Sequence, residues 1–384
     1  MNILYSYRGQ TYKKKDKSYI RIYNKYKTDP EPQKREKVWA WATGIGLQDV
    51  DGLSVSSYLV ELAIKNIEGE ITIEEVQALI KSYYKTDRKN EDTRTEEADT
   101  VSMRITPIIN EKGFTFSVAQ YLSIHKRLFE GIYKRAGEIR DYNISKQEWV
   151  LNGDTVTYGG ASELHATLEY DFAQEKAFDY SGLSMDEVIK HFAVFISRLW
   201  QIHVFGEGNT RTTAVFFIKY LNSLGFNVTN DTFAENAWYF RSALVRANYN
   251  NLKKGFHETT EYLELFLRNL LLGEKNPLKN RTLHISSAAK QFIEPQKQYI
   301  GDKKQYIDKL LSSGLTQKTA THAVKLFNEF GFESFFSRSD VVDIVGITVT
   351  PASALLKKLL DVGITEAVIG MGKGKYRFNP TFFN

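Results

Sequence analysis

The stretch QIHVFGEGNTRTTAVFFIKYL, residues 201–221, sits between two long apolar segments and decides how the rest of the chain is read. From His203 to Arg211 it holds a histidine, a carboxylate, two glycines, an asparagine and an arginine. Gly206 and Gly208 let the backbone turn tightly and approach a ligand closely. The apolar run that resumes beyond them predicts a helix starting near Thr210–Thr213, whose free N–H groups and positive dipole end face back into the loop as an anion site. Arg211 adds a planar cation suited to phosphate oxygens. Glu207 is a carboxylate of the kind Mg²⁺ shares with phosphate. His203, with an ordinary pKa near neutrality, can accept a proton from an attacking hydroxyl. Singly, a histidine beside an apolar helix is ordinary packing and GEGN an ordinary turn. Together these groups describe phosphoryl or nucleotidyl transfer. The G-x-x-x-x-G-K-[ST] phosphate loop is absent from the sequence.

A length of 384 residues exceeds one typical core and predicts two or three domains. Hydrophobic residues make up 42% and aromatics 13%, which fits a folded chain rather than a disordered one. No apolar run is long enough for a membrane span, and the N-terminus carries no signal-peptide pattern. Cysteine is absent, which excludes disulfides, thiolate catalysis and cysteine-bound zinc. A reducing cytoplasm is the expected location. The net charge of +5 is uneven: residues 276–384 hold fifteen Lys or Arg against nine Asp or Glu, so the remainder is nearly neutral. A basic C-terminal part permits contact with nucleic acid.

Away from the loop, apolar spacing predicts a mainly α protein in three parts. Residues 1–100 form a small helical unit ending in a charged stretch, 85–100, that reads as an exposed linker. Residues 101–275 are a helical core, with Ser184 as the cap of the helix leading into the loop. Within it, SKQEWVLNGDTVTYGG carries the N-G-D signature of a β-hairpin. Residues 276–384 read as three helices and a hairpin, the order of a winged helix.

The segment HVFGEGNTRTTAVF resembles the Fic family loop, H-x-F-x-[DE]-G-N-x-R, and RLFEGIYKRAGEIRDYNISK and FAENAWYFRSALVRANY extend the resemblance over most of residues 101–270. It implies a Fic-type helical bundle with a β-hairpin flap and an activity that transfers AMP from ATP to a protein hydroxyl. His203 would be the base and Glu207 would hold Mg²⁺. The loop with Gly206, Gly208, Asn209 and Thr210 would form the anion hole, Arg211 would hold the pyrophosphate side, and Phe205 would anchor the loop in the core. The flap, residues 149–158, would dock the target protein, and self-modification is also implied.

Three positions depart from the family pattern. Val204 replaces a frequent proline, Thr210 a frequent glycine, and Ala214 a second arginine that usually meets the γ-phosphate and an inhibitory glutamate. Arg241 and Arg246 are the candidate substitutes. The inhibitory motif is absent too; LQDVDG, 47–52, is the closest stretch, with Asp51 at the glutamate's place. Residues 40–84, which resemble an antitoxin-like domain, are expected to cover the site's mouth. Alternative readings are a DNA-binding regulator using the winged helix, with Lys357, Lys358, Lys373, Lys375 and Arg377 facing phosphate, or a Fic enzyme that moves another phosphate-linked group.

Overall fold

The computed structural model describes residues 5–7, 10–12, 24–86, 93–252, 255–285, 310–330, 336–368, 375–379 and 382. They fall into two units, 1–285 and 286–384. In the first, β1 (Tyr5–Tyr7) pairs antiparallel with β2 (Gln10–Tyr12). Helices follow: α1 (Pro32–Gly46), α2 (Ser57–Glu68), α3 (Ile73–Thr86), α4 (Thr93–Asn110), α5 (Val118–Phe129), α6 (Leu164–Ala177), α7 (Met185–Ile202), α8 (Asn209–Ser223), α9 (Thr232–Ala247), α10 (Glu261–Leu272) and the one-turn α11 (Asn280–Leu283). A 3-10 turn, Leu47–Asp51, continues α1.

At the centre lies α8, buried at every residue from Asn209 to Leu221. Its apolar side chains leave no polar face, so neighbours must surround it. They are α4, α5, α7 and the Leu47–Asp51 turn. Phe216 and Phe217 are fully buried, each stabilising the fold by roughly 1.5–3 kcal/mol. The one cation on this stretch beyond Arg211 is Lys219, whose Nζ donates to Ile108 O (2.9 Å) and Glu111 O (2.7 Å). It thereby satisfies carbonyls at the C-terminus of α4. Ser184 caps α7, as the sequence predicts, and the structure adds a reciprocal bond with Glu187. No helix among the described residues is long and apolar enough to cross a membrane.

Three expectations need correction. The stretch read as a linker is helical from Thr93. Its residues are spoken for: Asp99 is buried and accepts from Ser56 N (2.8 Å) and Tyr84 Oη (2.7 Å). Charge density there reflects ion pairing inside the fold, not exposure; residues 87–92 lie outside the described set. The hairpin is also different. Asn152 and Gly153 take the positive φ values of the turn, 54° and 87°, and Glu148 N donates to Asp154 O (2.9 Å). Yet Trp149–Leu151 coils into a 3-10 turn that buries Val150 and Leu151, so no ladder forms. Finally, residues 276–285, grouped above with the C-terminal part, belong to the first unit, whose core includes Leu283 and Ile285.

The second unit runs α12 (Gln317–Phe330), β3 (Phe336–Ser337), α13 (Arg338–Val345), α14 (Val349–Asp361), β4 (Thr365–Ala367) and β5 (Lys375–Phe378). Its antiparallel sheet has the order β3-β5-β4, with Phe336 opposite Tyr376 and Thr365 opposite Phe378. β3 had no sequence signal, being two residues long. Lys373 lies outside the described residues.

Candidate active site

His203 ends α7 by adopting a left-handed conformation, φ +52°, which residues with a Cβ seldom enter. Arg140 braces it from outside. Its backbone N–H donates to Val204 O (2.8 Å), its Nε to His203 O (2.8 Å) and its Nη2 to Gly159 O (2.6 Å). Inside, His203 Nδ1 lies 3.2 Å from Trp200 O. A carbonyl only accepts, so Nδ1 carries the proton and Nε2 keeps its lone pair. The buried ring packs on Tyr158 at 4.3 Å and edge-on to Trp200. Burial, then the Lys146 and Arg241 cations, hold its pKa well below the ordinary histidine value. The imidazole is therefore neutral at physiological pH.

The loop after it is tied from within. Asn209 Oδ1 accepts from Phe205 N (3.0 Å) and Nδ2 donates to Phe205 O (2.8 Å). Thr210 Oγ1 accepts from Trp200 Nε1 (2.9 Å). Both side chains serve the fold, which leaves only their backbone N–H groups for an anion. Gly208 caps α8 at φ +73°, and a Cβ there would fall 2.5 Å from the Phe129 ring. Only glycine meets both demands. Gly206 lies against the Tyr142 hydroxyl, and Phe205 is fully buried, as its anchoring role requires.

Beside the loop is a cavity of ≈ 280 Å³ lined by charge: Arg94, Lys146, Arg211 and Arg241 against Asp51, Glu97 and Glu207. His203 does not line it, although Lys146 and Arg241 do and act on its charge. Glu207 is exposed and pairs with Lys146 Nζ at 3.3 Å. Arg211 is buried and heavily bound: Nη1 donates to Gln48 Oε1 (3.0 Å), Nη2 to Glu97 Oε1 (2.6 Å) and Tyr133 Oη (2.9 Å). Its Nε lies 2.9 Å from Asp51 Oδ2, with the N–H turned off the oxygen. Arg241 reaches the same carboxylate, Nη1 to Oδ1 at 3.2 Å, and Glu148 Oε1 at 2.8 Å. Burial pushes the Asp51 carboxyl up, but Arg211, Arg241, Lys146 and Arg94 together leave its pKa below the ordinary value. Of the two candidate substitutes for the missing arginine, only Arg241 lines the cavity. Arg246 donates to Leu283 O instead, and Ala214 is fully buried in α8.

Residues 115–221 match the Fic/DOC family model. That segment, just over a quarter of the chain, contains the whole His203–Arg211 loop, all of α7 and α8 as far as Leu221. Among solved structures, the chain is similar to the N-terminal FIC domain of Bep8, a VirB-translocated effector protein from Bartonella sp. 1-1C. The identity is 17% and the TM-score 0.38, covering 50% of this chain and 93% of that one. It is also similar to a Fic family protein from Desulfovibrio desulfuricans G20, at 12% identity and TM-score 0.39, covering 94% of each chain. No curated protein sequence matches the chain.

Several residues of the Fic/DOC-matched segment and its surroundings escaped sequence reasoning. Arg140 and Lys146 lie in the quoted GEIRDYNISK without any periodic signal to mark them. Glu97, Gln48 and Tyr133 come from segments far from the loop, and only the tertiary fold brings them to Arg211. Asp51 alone had a hint, its place in LQDVDG.

Proposed function

We propose that this protein is a nucleotidyltransferase that moves AMP from ATP to a Ser, Thr or Tyr hydroxyl of a target protein or of itself. The observation that carries the reading is the His203 tautomer. Its Nδ1–H is committed to Trp200 O, so the free Nε2 is a ready base at the start of a loop built for anions. Nε2 would take the hydroxyl proton as the oxygen attacks the α-phosphorus. N–H groups of the first turn of α8 would stabilise charge gathered on that phosphate, and Arg211 and Arg241 would hold the departing pyrophosphate. Glu207 would hold Mg²⁺ as an exposed carboxylate on the cavity wall, since Mg²⁺ commonly takes one or two carboxylates and completes its shell with phosphate oxygens and water. When bound, the ion would neutralise phosphate charge. The 149–158 segment, with its exposed Asn152–Gly153 turn, would meet the target.

The arrangement described is a closed one. Asp51 occupies the guanidiniums that a phosphate chain needs, and Lys146 engages Glu207. This supports the expectation that the N-terminal segment covers the site, with Asp51 taking the glutamate's part and Arg241 that of the missing arginine. Removing residues 1–100 outright is a poor test of this idea, because Trp39, Ala40, Leu47 and Val50 are part of the main core. A point substitution at Asp51 is better. The decisive experiment incubates the protein with each nucleotide and Mg²⁺ or Mn²⁺ and reads intact mass, with His203→Ala as control. A gain of one nucleoside monophosphate, lost in the control, is expected. Gain of a different group transfers the reading to another Fic-type chemistry, and no gain on any acceptor, even from Asp51→Ala, refutes it.

A second reading is the winged helix expected from the sequence, for which the helix–strand–helix–helix–strand–strand order of the second unit's described elements is the support. Ala352, Leu355, Leu356 and Leu359 face its core, leaving Lys357 and Lys358 exposed on α14. Duplex DNA binding that falls steeply with salt would support it.

A further inference from the structure

His125, on α5, is bonded at both ring nitrogens. Gly137 N donates to Nδ1 at 2.8 Å, so Nδ1 is bare and Nε2 must carry the proton. Nε2 lies 3.0 Å from Glu207 O and therefore donates to it. The ring also stacks on Phe205 at 3.7 Å with an interplanar angle of 9°. One buried side chain thus grips the loop at two places, two residues apart, and ties it to the turn after α5. Burial first, then Arg211, lowers its pKa to about 4 against the opposing Glu207 bond. The ring stays neutral, and the tautomer is fixed across physiological pH.

Fixing the Glu207 carbonyl has a consequence across the next bond. A trans peptide is planar, so when Glu207 C=O points at His125, the Gly208 N–H points the opposite way. We propose that His125 is a positioning residue that sets the Glu207–Gly208 peptide, turning the Gly208 N–H toward the bound phosphate and the Glu207 side chain toward the cavity. The inference rests on the transferase reading for its purpose, but not for its geometry.

Two substitutions separate the hydrogen bond from the packing. His125→Phe keeps a ring to stack on Phe205 and loses both bonds. His125→Gln loses the ring but places an amide donor where Nε2 stood. With thermal unfolding confirming a folded chain, MgATP binding is measured calorimetrically on wild type and both variants. Phe is expected to weaken binding by about 10- to 100-fold, the usual loss when a group orienting a binding residue is removed, and Gln to restore most of it. Equal binding by wild type and Phe, or a larger loss in Gln than in Phe, would overturn the proposal while leaving the transferase reading intact. ¹⁵N spectra of the imidazole supply the independent arm: Nε2 protonated and Nδ1 bare at neutral pH is expected. The reverse tautomer sinks the proposal whatever the nucleotide does. Absence of MgATP binding in the wild type and in Asp51→Ala alike, with that tautomer present, defeats the transferase reading and the positioning role with it.

Discussion

Replacing Asp51 by alanine separates two effects that the structure couples. The carboxylate touches Arg211 Nε at 2.9 Å and Arg241 Nη1 at 3.2 Å, and its side chain is 29% exposed. Breaking a buried ion pair costs about 3–5 kcal/mol when the partner is left uncompensated. Neither arginine is left so: Arg211 keeps Glu97, Gln48 and Tyr133, and Arg241 keeps Glu148. With partial exposure also screening the pair, the expected destabilisation is about 1–2 kcal/mol. For a unit of this size that lowers the melting temperature by roughly 2–8 °C. In the wild type the arginines must release Asp51 before a phosphate can bind them, so prior removal of these contacts should tighten MgATP or pyrophosphate binding by roughly 5- to 30-fold. Thermal unfolding and calorimetric titration of the same samples measure both. The variant should melt lower when empty and gain more from ligand. Because the folded pKa of Asp51 is depressed, its stabilisation is present above the unfolded value of about 3.9 and is lost as pH falls through the folded one. Wild type and variant should therefore converge in acid. An unchanged melting temperature together with unchanged affinity would refute the claim that Asp51 fills an anion site.

The remaining predictions probe the loop. Gly208→Ala should destabilise by about 2–4 kcal/mol, combining the left-handed backbone with the Phe129 clash; a loss below about 1 kcal/mol in chemical denaturation would contradict it. In profiles of kcat/KM against pH, which report the free enzyme, the base must be neutral, and the His203 pKa is depressed, so transfer should persist below pH ~6.5, the ordinary histidine value. An acid limb centred there would argue against His203 as described. His125 makes stability pH-dependent: its folded pKa of about 4 lies below the unfolded value of about 6.5, so the unfolded chain binds the proton first. Stability should fall as pH drops through that window by about 3 kcal/mol, less so in His125→Phe; equal acid dependence of the two in urea titrations would remove this account.

The parts of the fold legible in the sequence were those that local chemistry dictates. Ser184 announced the start of α7, and the apolar run beyond the loop announced the helix α8. The Asn152–Gly153 turn was equally readable, because the turn depends on its own residues. What flanks it was not. Trp149, Val150 and Leu151 read as a short strand-like run, but the core takes Val150 and Leu151 side by side, and burial outweighed β-propensity. The misread linker shows the same limit in charge. Glu97 and Asp99 look solvated until their partners, Arg211, Tyr84 and Ser56, arrive from other helices. At the site, the contiguous nine residues were visible, whereas the groups that set their protonation and conformation, Arg140, Lys146 and His125, belong to segments 57 or more positions away.

The charge balance of the cavity then decides which element yields to a ligand. Arg211 and Arg241 are already paired with carboxylates, so a polyanion can take their guanidiniums only if one of those acids withdraws. Glu97 is carried on the long helix α4 and also receives the Tyr133 hydroxyl. Glu148 is buried and bridges Arg241 to Tyr158. Asp51 alone sits at the end of a five-residue 3-10 turn, followed by a left-handed Gly52 that permits the backbone to swing. Of the three acids that hold Arg211 and Arg241, it is the one whose withdrawal disturbs least. Its replacement by phosphate would bring more negative charge beside Lys146 and Arg241, the same cations that depress the His203 pKa. Nucleotide entry would thus raise the basicity of Nε2 just as a base is needed, linking occupancy of the anion site to the competence of the histidine.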